Sequence, residues 1–195
     1  MHPAPAFVTI VSGYPRSGTS LMMQMLAAGG LEALVDDAHA TDEHNPRGYY
    51  EYGAALNLGA ENETTAWVAQ ARGKAVKVMA YQLRHLPAEL DYRVVFMRRR
   101  IVEVLASWDK MGLTREDCEL DERERVLAFK TEYAIYEAQL ERTSAMRVCY
   151  VQYNDVVAEP AGQAAGVAGF LGLPLDVQAM AAAVDPALYR NRAAG

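Results

Sequence analysis

The sequence predicts an α/β protein: a parallel β-sheet flanked on both faces by helices, three layers in all. Three observations predict it. Short apolar runs at residues 7–11, 75–79, 93–97 and 147–153 read as buried strands. Segments with helical spacing separate them, so strands and helices alternate. A glycine-bearing turn, Gly13-Tyr14-Pro15-Arg16-Ser17-Gly18-Thr19-Ser20, joins the first strand to the first helix.

Taken in order, residues 7–11 (Phe-Val-Thr-Ile-Val) are an unbroken apolar strand. Residues 19–28 follow as a helix rich in Leu and Met, stopped by Gly29 and Gly30. Its Met22, Met23 and Met25 are assigned to the core. Residues 31–35 are expected as a second, short strand. The polar stretch 36–52, with Asn45-Pro46-Arg47-Gly48, reads as a loop, and a loop this long in a compact domain is commonly functional. Residues 54–71 are expected as one helix, and residues 75–79 and 93–97 as the third and fourth strands. Arg98, Arg99 and Arg100 follow at once, then a helix over 101–111 with its spacing set by Ile101, Val104, Leu105 and Trp108. A long helix over 121–143 carries Val126, Phe129, Tyr133, Tyr136 and Leu140 on one stripe. Residues 147–153 are the fifth strand, 161–171 a helix ending at Gly172, and 176–184 a last short helix. No repeat or composition break interrupts the chain, so residues 1–195 are expected to form a single domain.

Composition narrows the function. Hydrophobic content of 51% and charged content of 23% are ordinary for a globular protein. Nineteen basic against 25 acidic residues leave a net charge of −6, which argues against a nucleic-acid partner. Cys118 and Cys149 do not make a disulfide framework. The N-terminus lacks a secretion signal, and no apolar stretch approaches the ~20 residues of a membrane span. The expectation is a cytoplasmic protein with reduced thiols.

The turn at 13–20 has the outline of a phosphate-binding loop. A helix start offers unpaired N–H groups and partial positive charge, and glycines at 13 and 18 let the backbone close around an anion. The ATP/GTP version needs a Lys after the second Gly. Thr19 stands there, and the cation, Arg16, lies inside the loop. Ligands of open parallel sheets bind at the carboxyl ends of strands, which brings this turn and the arginines at 98–100 within reach of one cleft.

Three segments together resemble the sulfotransferase family, whose members have a P-loop NTPase-like fold and transfer a sulfo group from 3′-phosphoadenosine 5′-phosphosulfate (PAPS). Tyr14-Pro15-Arg16-Ser17-Gly18-Thr19-Ser20 is similar to the family's 5′-phosphosulfate loop. The run from Val94 through Arg100 into Ser107 and Trp108 resembles a strand ending in Arg followed by a helix with a Ser eight residues on. Both of those residues contact the nucleotide's 3′-phosphate in the family, and here Arg99 and Ser107 have that spacing. The stretch from Val151 and Tyr153 to Phe170-Leu171-Gly172 is similar to the family's late strand, turn and helix end.

The resemblance spans about residues 7–175 and implies a set of roles. Arg16, Ser17, Gly18, Thr19 and Ser20 would hold the 5′ end of the donor, and Arg99, Ser107 and Tyr153 the rest of the nucleotide. Arg190 and Arg192 resemble a basic C-terminal element that closes over the 3′-phosphate, although its usual Arg-Lys-Gly form is absent. Lys77 resembles the lysine that stabilises charge on the bridging oxygen. The product would be adenosine 3′,5′-bisphosphate, and no metal is implied. Cytosolic members often place a His two residues after that lysine, where this chain has Met79, so the general base must come from elsewhere. Asp37 is ranked first, then Glu51 and His44, with Asp36 and Asp42 as rivals. Tyr49, Tyr50, Tyr52 and Trp67 are candidates for an acceptor wall or for core packing. The acceptor, a small molecule or an exposed chain, stays open, as does the oligomeric state. A small P-loop kinase or NTPase is the alternative, with Asp155 as its weak magnesium ligand. A non-catalytic nucleotide-binding module is the third reading.

Overall fold

The computed structural model describes residues 5–36, 45, 47–61, 64–112 and 120–189. Among these residues four parallel strands form one sheet in the order β2-β1-β3-β4. They are β1 (Val8–Gly13), β2 (Ala75–Lys77), β3 (Tyr92–Arg98) and β4 (Met146–Gln152). Ile10 pairs with Val76 on one side and Val94 on the other, and Val94 pairs in turn with Val148. Side chains of a strand alternate between faces, and both faces here are apolar. Val8, Ile10, Val94 and Phe96 enter one core, while Val11, Val95, Met97 and Val151 enter the other.

The helices in chain order are α1 (Thr19–Ala28), α2 (Gly53–Leu56), α3 (Ala66–Gln70), α4 (Ile101–Lys110), α5 (Glu122–Arg142), α6 (Tyr153–Ala158), α7 (Pro160–Leu171) and α8 (Val177–Ala182). A 3₁₀ helix spans Ala80–His85. Residues of α2, α3, the 3₁₀ helix and α5 cover the first core; α1, α7 and α8 cover the second, where Met22, Met23 and Met25 are fully buried. Local chemistry sets several boundaries. Asp121 and Glu124 form a reciprocal capping box at the start of α5 (2.9 and 2.8 Å). Pro160 occupies the first turn of α7, and Gly172 closes that helix in the left-handed region.

Three sequence expectations are corrected. Residues 31–35 are not a strand: the segment meets the sheet at a single bridge, Ala33 to Ala75, because β2 itself begins there and runs for three residues. The helix expected over 54–71 is divided into α2 and α3. Gly59, at φ +93, packs so closely on His85 that an added Cβ would lie 2.5 Å from its ring. The strand expected over 75–79 stops at Lys77, since the Met79 N–H donates to Gln82 Oε1 (3.2 Å) and starts the 3₁₀ helix. No helix among the described residues is long and apolar enough to cross a membrane.

Tyr14, at the exit of β1, stacks on Tyr133 of α5 (ring centroids 4.2 Å apart) and donates to Glu132 (3.0 Å). Burial raises the phenols of Tyr14, Tyr92 and Tyr133 well above their ordinary value of 10. In the unfolded chain the same phenols ionise near that ordinary value, so their contribution is intact below it and is lost as pH rises above it. Stability measured by urea unfolding is expected to hold near pH 8 and to fall steadily between about pH 10 and 11. Tyr14→Phe should make that fall shallower. An unchanged slope in the variant would refute the assignment.

Candidate active site

The turn between β1 and α1 is built on three residues with positive φ: Gly13 (+147), Arg16 (+73) and Gly18 (+101). Arg16 has no glycine's freedom, and a side-chain-bearing residue held there stores roughly 1–3 kcal/mol of strain. Surrounding contacts hold it. The Ser17 N–H donates to the Tyr14 carbonyl (3.1 Å), and Trp108 Nε1 on α4 donates to the Pro15 carbonyl (3.1 Å). Helix α1 starts at Gly18 with no side-chain cap and no acidic residue in its first turn. Its first amides therefore carry unmatched partial positive charge. Ser17 Oγ is fully buried without a hydrogen-bond partner among the described residues. A buried, unsatisfied hydroxyl inside a loop of amides is suited to an anionic oxygen.

Lys77, the last residue of β2, lies at the lip of this loop. Its side chain is 3% exposed, and the ammonium pairs with Glu51 (2.8 Å), donates to the Tyr49 carbonyl (2.5 Å) and lies 3.5 Å from Ser20 Oγ. Ser20 Oγ in turn donates to the same Tyr49 carbonyl (3.1 Å). Burial lowers the Lys77 pKa from its ordinary value, and the Glu51 carboxylate opposes that shift. The long loop thus delivers a carboxylate and a main-chain oxygen to the strand-end lysine beside the anion loop.

On the other side, Arg16 Nε donates to Ser107 Oγ on α4 (2.9 Å), and Arg99 donates to the Arg16 carbonyl (3.2 Å). Arg99 also pairs with Glu103 (3.0 Å), and its guanidinium sits 4.4 Å from the centre of the Tyr153 ring. Tyr153 is wedged against Gly18, where a Cβ would fall 2.4 Å from the ring. One cluster therefore holds Arg16, Ser17, Gly18, Thr19, Ser20, Lys77, Glu51, Arg99, Ser107 and Tyr153, all proposed from the sequence.

Asp37, Asp42 and His44, all candidate bases, and Arg190 and Arg192 lie outside the described residues. Asp36 is turned to another task, accepting from the Gly53 N–H (2.7 Å). Of the aromatic candidates, Tyr52 and Trp67 pack edge to face in the core (5.4 Å), while Tyr50 lines an open cleft of about 460 Å³ with Gln24 and Arg47. Among the described residues no group of three or more His, Cys, Asp or Glu is placed to hold a metal ion.

Sequence reasoning missed Glu103, Asn154 and Tyr189. The Glu103 side chain is fully buried, and it accepts from Asn154 Nδ2 (3.2 Å) and the Tyr189 hydroxyl (2.6 Å) as well as from Arg99. A signal was present: Glu103 and Ser107 are four residues apart on one face of α4, and Arg99 lies four residues before Glu103, just ahead of the helix.

A model of the sulfotransferase family matches residues 79–177, just over half of the chain. The chain belongs to the sulfotransferase family. The match takes in Arg99, Glu103, Ser107 and Tyr153 and begins two residues after Lys77. No protein of curated function matches the sequence significantly. Solved sulfotransferases share its fold. The sulfotransferase domain of the Synechococcus PCC 7002 olefin synthase aligns at 19% identity over 92% of this chain and 77% of that one (TM-score 0.56). Sulfotransferase STF1 from Mycobacterium tuberculosis H37Rv aligns at 17% over 95% and 74% (TM-score 0.58). A retinol dehydratase solved with androsterone and the inactive cofactor PAP aligns at 14% over 96% and 65% (TM-score 0.51).

The close fit of Gly18 gives a test of this sulfotransferase's loop. Gly18→Ala places a methyl group both in a left-handed position and against Tyr153. It is expected to cost about 1–3 kcal/mol of stability and to weaken anion binding at the loop. Urea unfolding together with a phosphate or sulfate titration would check both; a variant as stable as the wild type would refute the packing argument.

Proposed function

We propose that the chain works as a single-domain, cytoplasmic sulfotransferase that uses PAPS as donor and a hydroxyl or amine as acceptor, on a small molecule or an exposed chain. The observation that carries this reading is the convergence of Lys77, Glu51 and Ser20 at the mouth of the uncapped start of α1. The residues present fit a phosphosulfate. Arg16, the first-turn amides and the unsatisfied Ser17 hydroxyl are all suited to anionic oxygens. The likeness to a fold solved with PAP supports the same choice of donor. When bound, PAPS supplies an activated sulfo group on a phosphate leaving group.

The chain's own residues have distinct tasks in this proposal. Arg16, Ser17, Gly18, Thr19 and Ser20 hold the 5′ end, and Arg99 and Ser107 the 3′-phosphate, with Tyr153 beneath the Arg99 guanidinium. Lys77 holds a positive charge where negative charge develops on the leaving oxygen, an effect strengthened by its burial. Glu51 takes the proton of the acceptor group, because it is the candidate base placed beside Lys77. The work is positioning and electrostatics, as in phosphoryl transfer.

Calorimetric titration of adenosine 3′,5′-bisphosphate in metal-free buffer is expected to give micromolar binding. Arg16→Ala should weaken it by roughly 10-fold or more, the worth of a charge-assisted hydrogen bond. Lys77→Met should keep nucleotide binding but slow release of the bisphosphate from PAPS by about 100-fold or more. No binding of the bisphosphate, with magnesium-dependent binding of ATP in its place, would overturn the proposal in favour of a kinase.

A further inference from the structure

Glu103 has no part in the roles assigned so far, yet it is the most enclosed carboxylate in the cluster. Its side chain is fully buried on α4, one helical turn before Ser107 and four residues after Arg99, which precedes the helix. Three side chains from three separate segments donate to it. Arg99 Nε reaches Oε2 (3.0 Å), the Tyr189 hydroxyl reaches Oε1 (2.6 Å), and Asn154 Nδ2 spans both oxygens (3.2 and 3.4 Å). Asn154 also donates to the Tyr189 hydroxyl (2.6 Å), so that hydroxyl both accepts and donates. A second ring contact, 5.5 Å, places Tyr189 beside the Arg99 guanidinium.

Two physical arguments give this arrangement a purpose. A carboxylate accepts only, and all three neighbours donate, so no neutral side chain of the same shape satisfies the site. A buried carboxylate beside an arginine also lowers the positive potential that an anion would meet. A chain selected for anion binding gains from such a group only if orientation outweighs the lost charge. The orientation is definite: with Nε fixed on Glu103 and another donor on the Arg16 carbonyl, the guanidinium plane is tied to both α4 and the anion loop.

We propose that Glu103 is a positioning residue which, with Asn154 and Tyr189, aims Arg99 and ties the segment after α8 to the donor site, thereby setting the preference for a nucleotide with a second phosphate. The inference rests on the donor reading above. Tyr189 is the last described residue, on the 3₁₀ turn Pro186–Leu188 that follows α8, and its hydroxyl is the link between that segment and Arg99.

The test compares two ligands, adenosine 3′,5′-bisphosphate and adenosine 5′-monophosphate, on the full chain by calorimetry. Glu103→Gln is expected to weaken the bisphosphate by about 10-fold, the effect of losing one charge-assisted hydrogen bond. The monophosphate should stay within about 2-fold of the wild type, because it does not call on the aimed guanidinium. Tyr189→Phe removes one hydroxyl from a half-buried ring and leaves the carboxylate paired with Arg99. It should reproduce the same selective loss at roughly 3-fold, and it decides the matter if Glu103→Gln does not fold. A general structural role would weaken both ligands alike and leave their ratio unmoved, which would overturn the inference. Tighter bisphosphate binding by Glu103→Gln would also overturn it, by making Glu103 a mere counter-ion. If the wild type binds the monophosphate and the bisphosphate equally, or binds neither, the donor reading falls and takes this inference with it.

Discussion

Helix α1 begins without a cap, and the rest of the site is arranged around that fact. Most helices satisfy their first amides with a Ser, Thr, Asp or Asn side chain, at a gain of about 1 kcal/mol. Here Gly18 stands at the cap position in the left-handed region, and no side-chain cap is made among the described residues. An uncapped helix start of this kind suits an anion. Every cation of the cluster lies around it: Arg16 within the turn, Lys77 on the neighbouring strand, and Arg99 hydrogen-bonded to the Arg16 carbonyl.

The sheet explains why these groups arrive together. In the order β2-β1-β3-β4, the loop-bearing strand has β2 on one side and β3 on the other. Parallel strands end on the same edge, so Lys77 at the end of β2 and Arg98 and Arg99 at the end of β3 flank the turn after β1 without any long-range fitting. Packing then fixes the details. Tyr14 is held by α5, Pro15 by Trp108 of α4, and Gly18 by Tyr153 of α6. The loop is thus restrained by three helices that the sequence supplies far from it.

What was legible in the sequence follows from the range of the interactions involved. Strands β1 and β3 could be read because each has an apolar run whose burial on two faces needs no partner to be identified, and β4, at the sheet edge, from its shorter apolar stretch. The turn at 13–20 and the spacing of Arg99 and Ser107 could be read because both are local in the sequence, the second within eight residues. The short elements could not. Whether residues 31–35 become a strand depends on how far β2 extends, and whether residues 54–71 form one helix depends on a contact between Gly59 and His85. Within the site, Glu51 is one of five acidic or histidine candidates in the sequence, and its pairing with Lys77 depends on the fold. Glu103 was not singled out, because two of its three donors, Asn154 and Tyr189, lie 51 and 86 residues further along the chain.

The Tyr49 contact has an evolutionary consequence. Lys77 and Ser20 both donate to the main-chain oxygen of Tyr49, not to its side chain. Any residue at position 49 supplies that oxygen, so substitution there leaves the lysine's partner in place. Position 49 can therefore vary without loss of that hydrogen bond, while the ion pair to Glu51 still depends on the side chain at position 51.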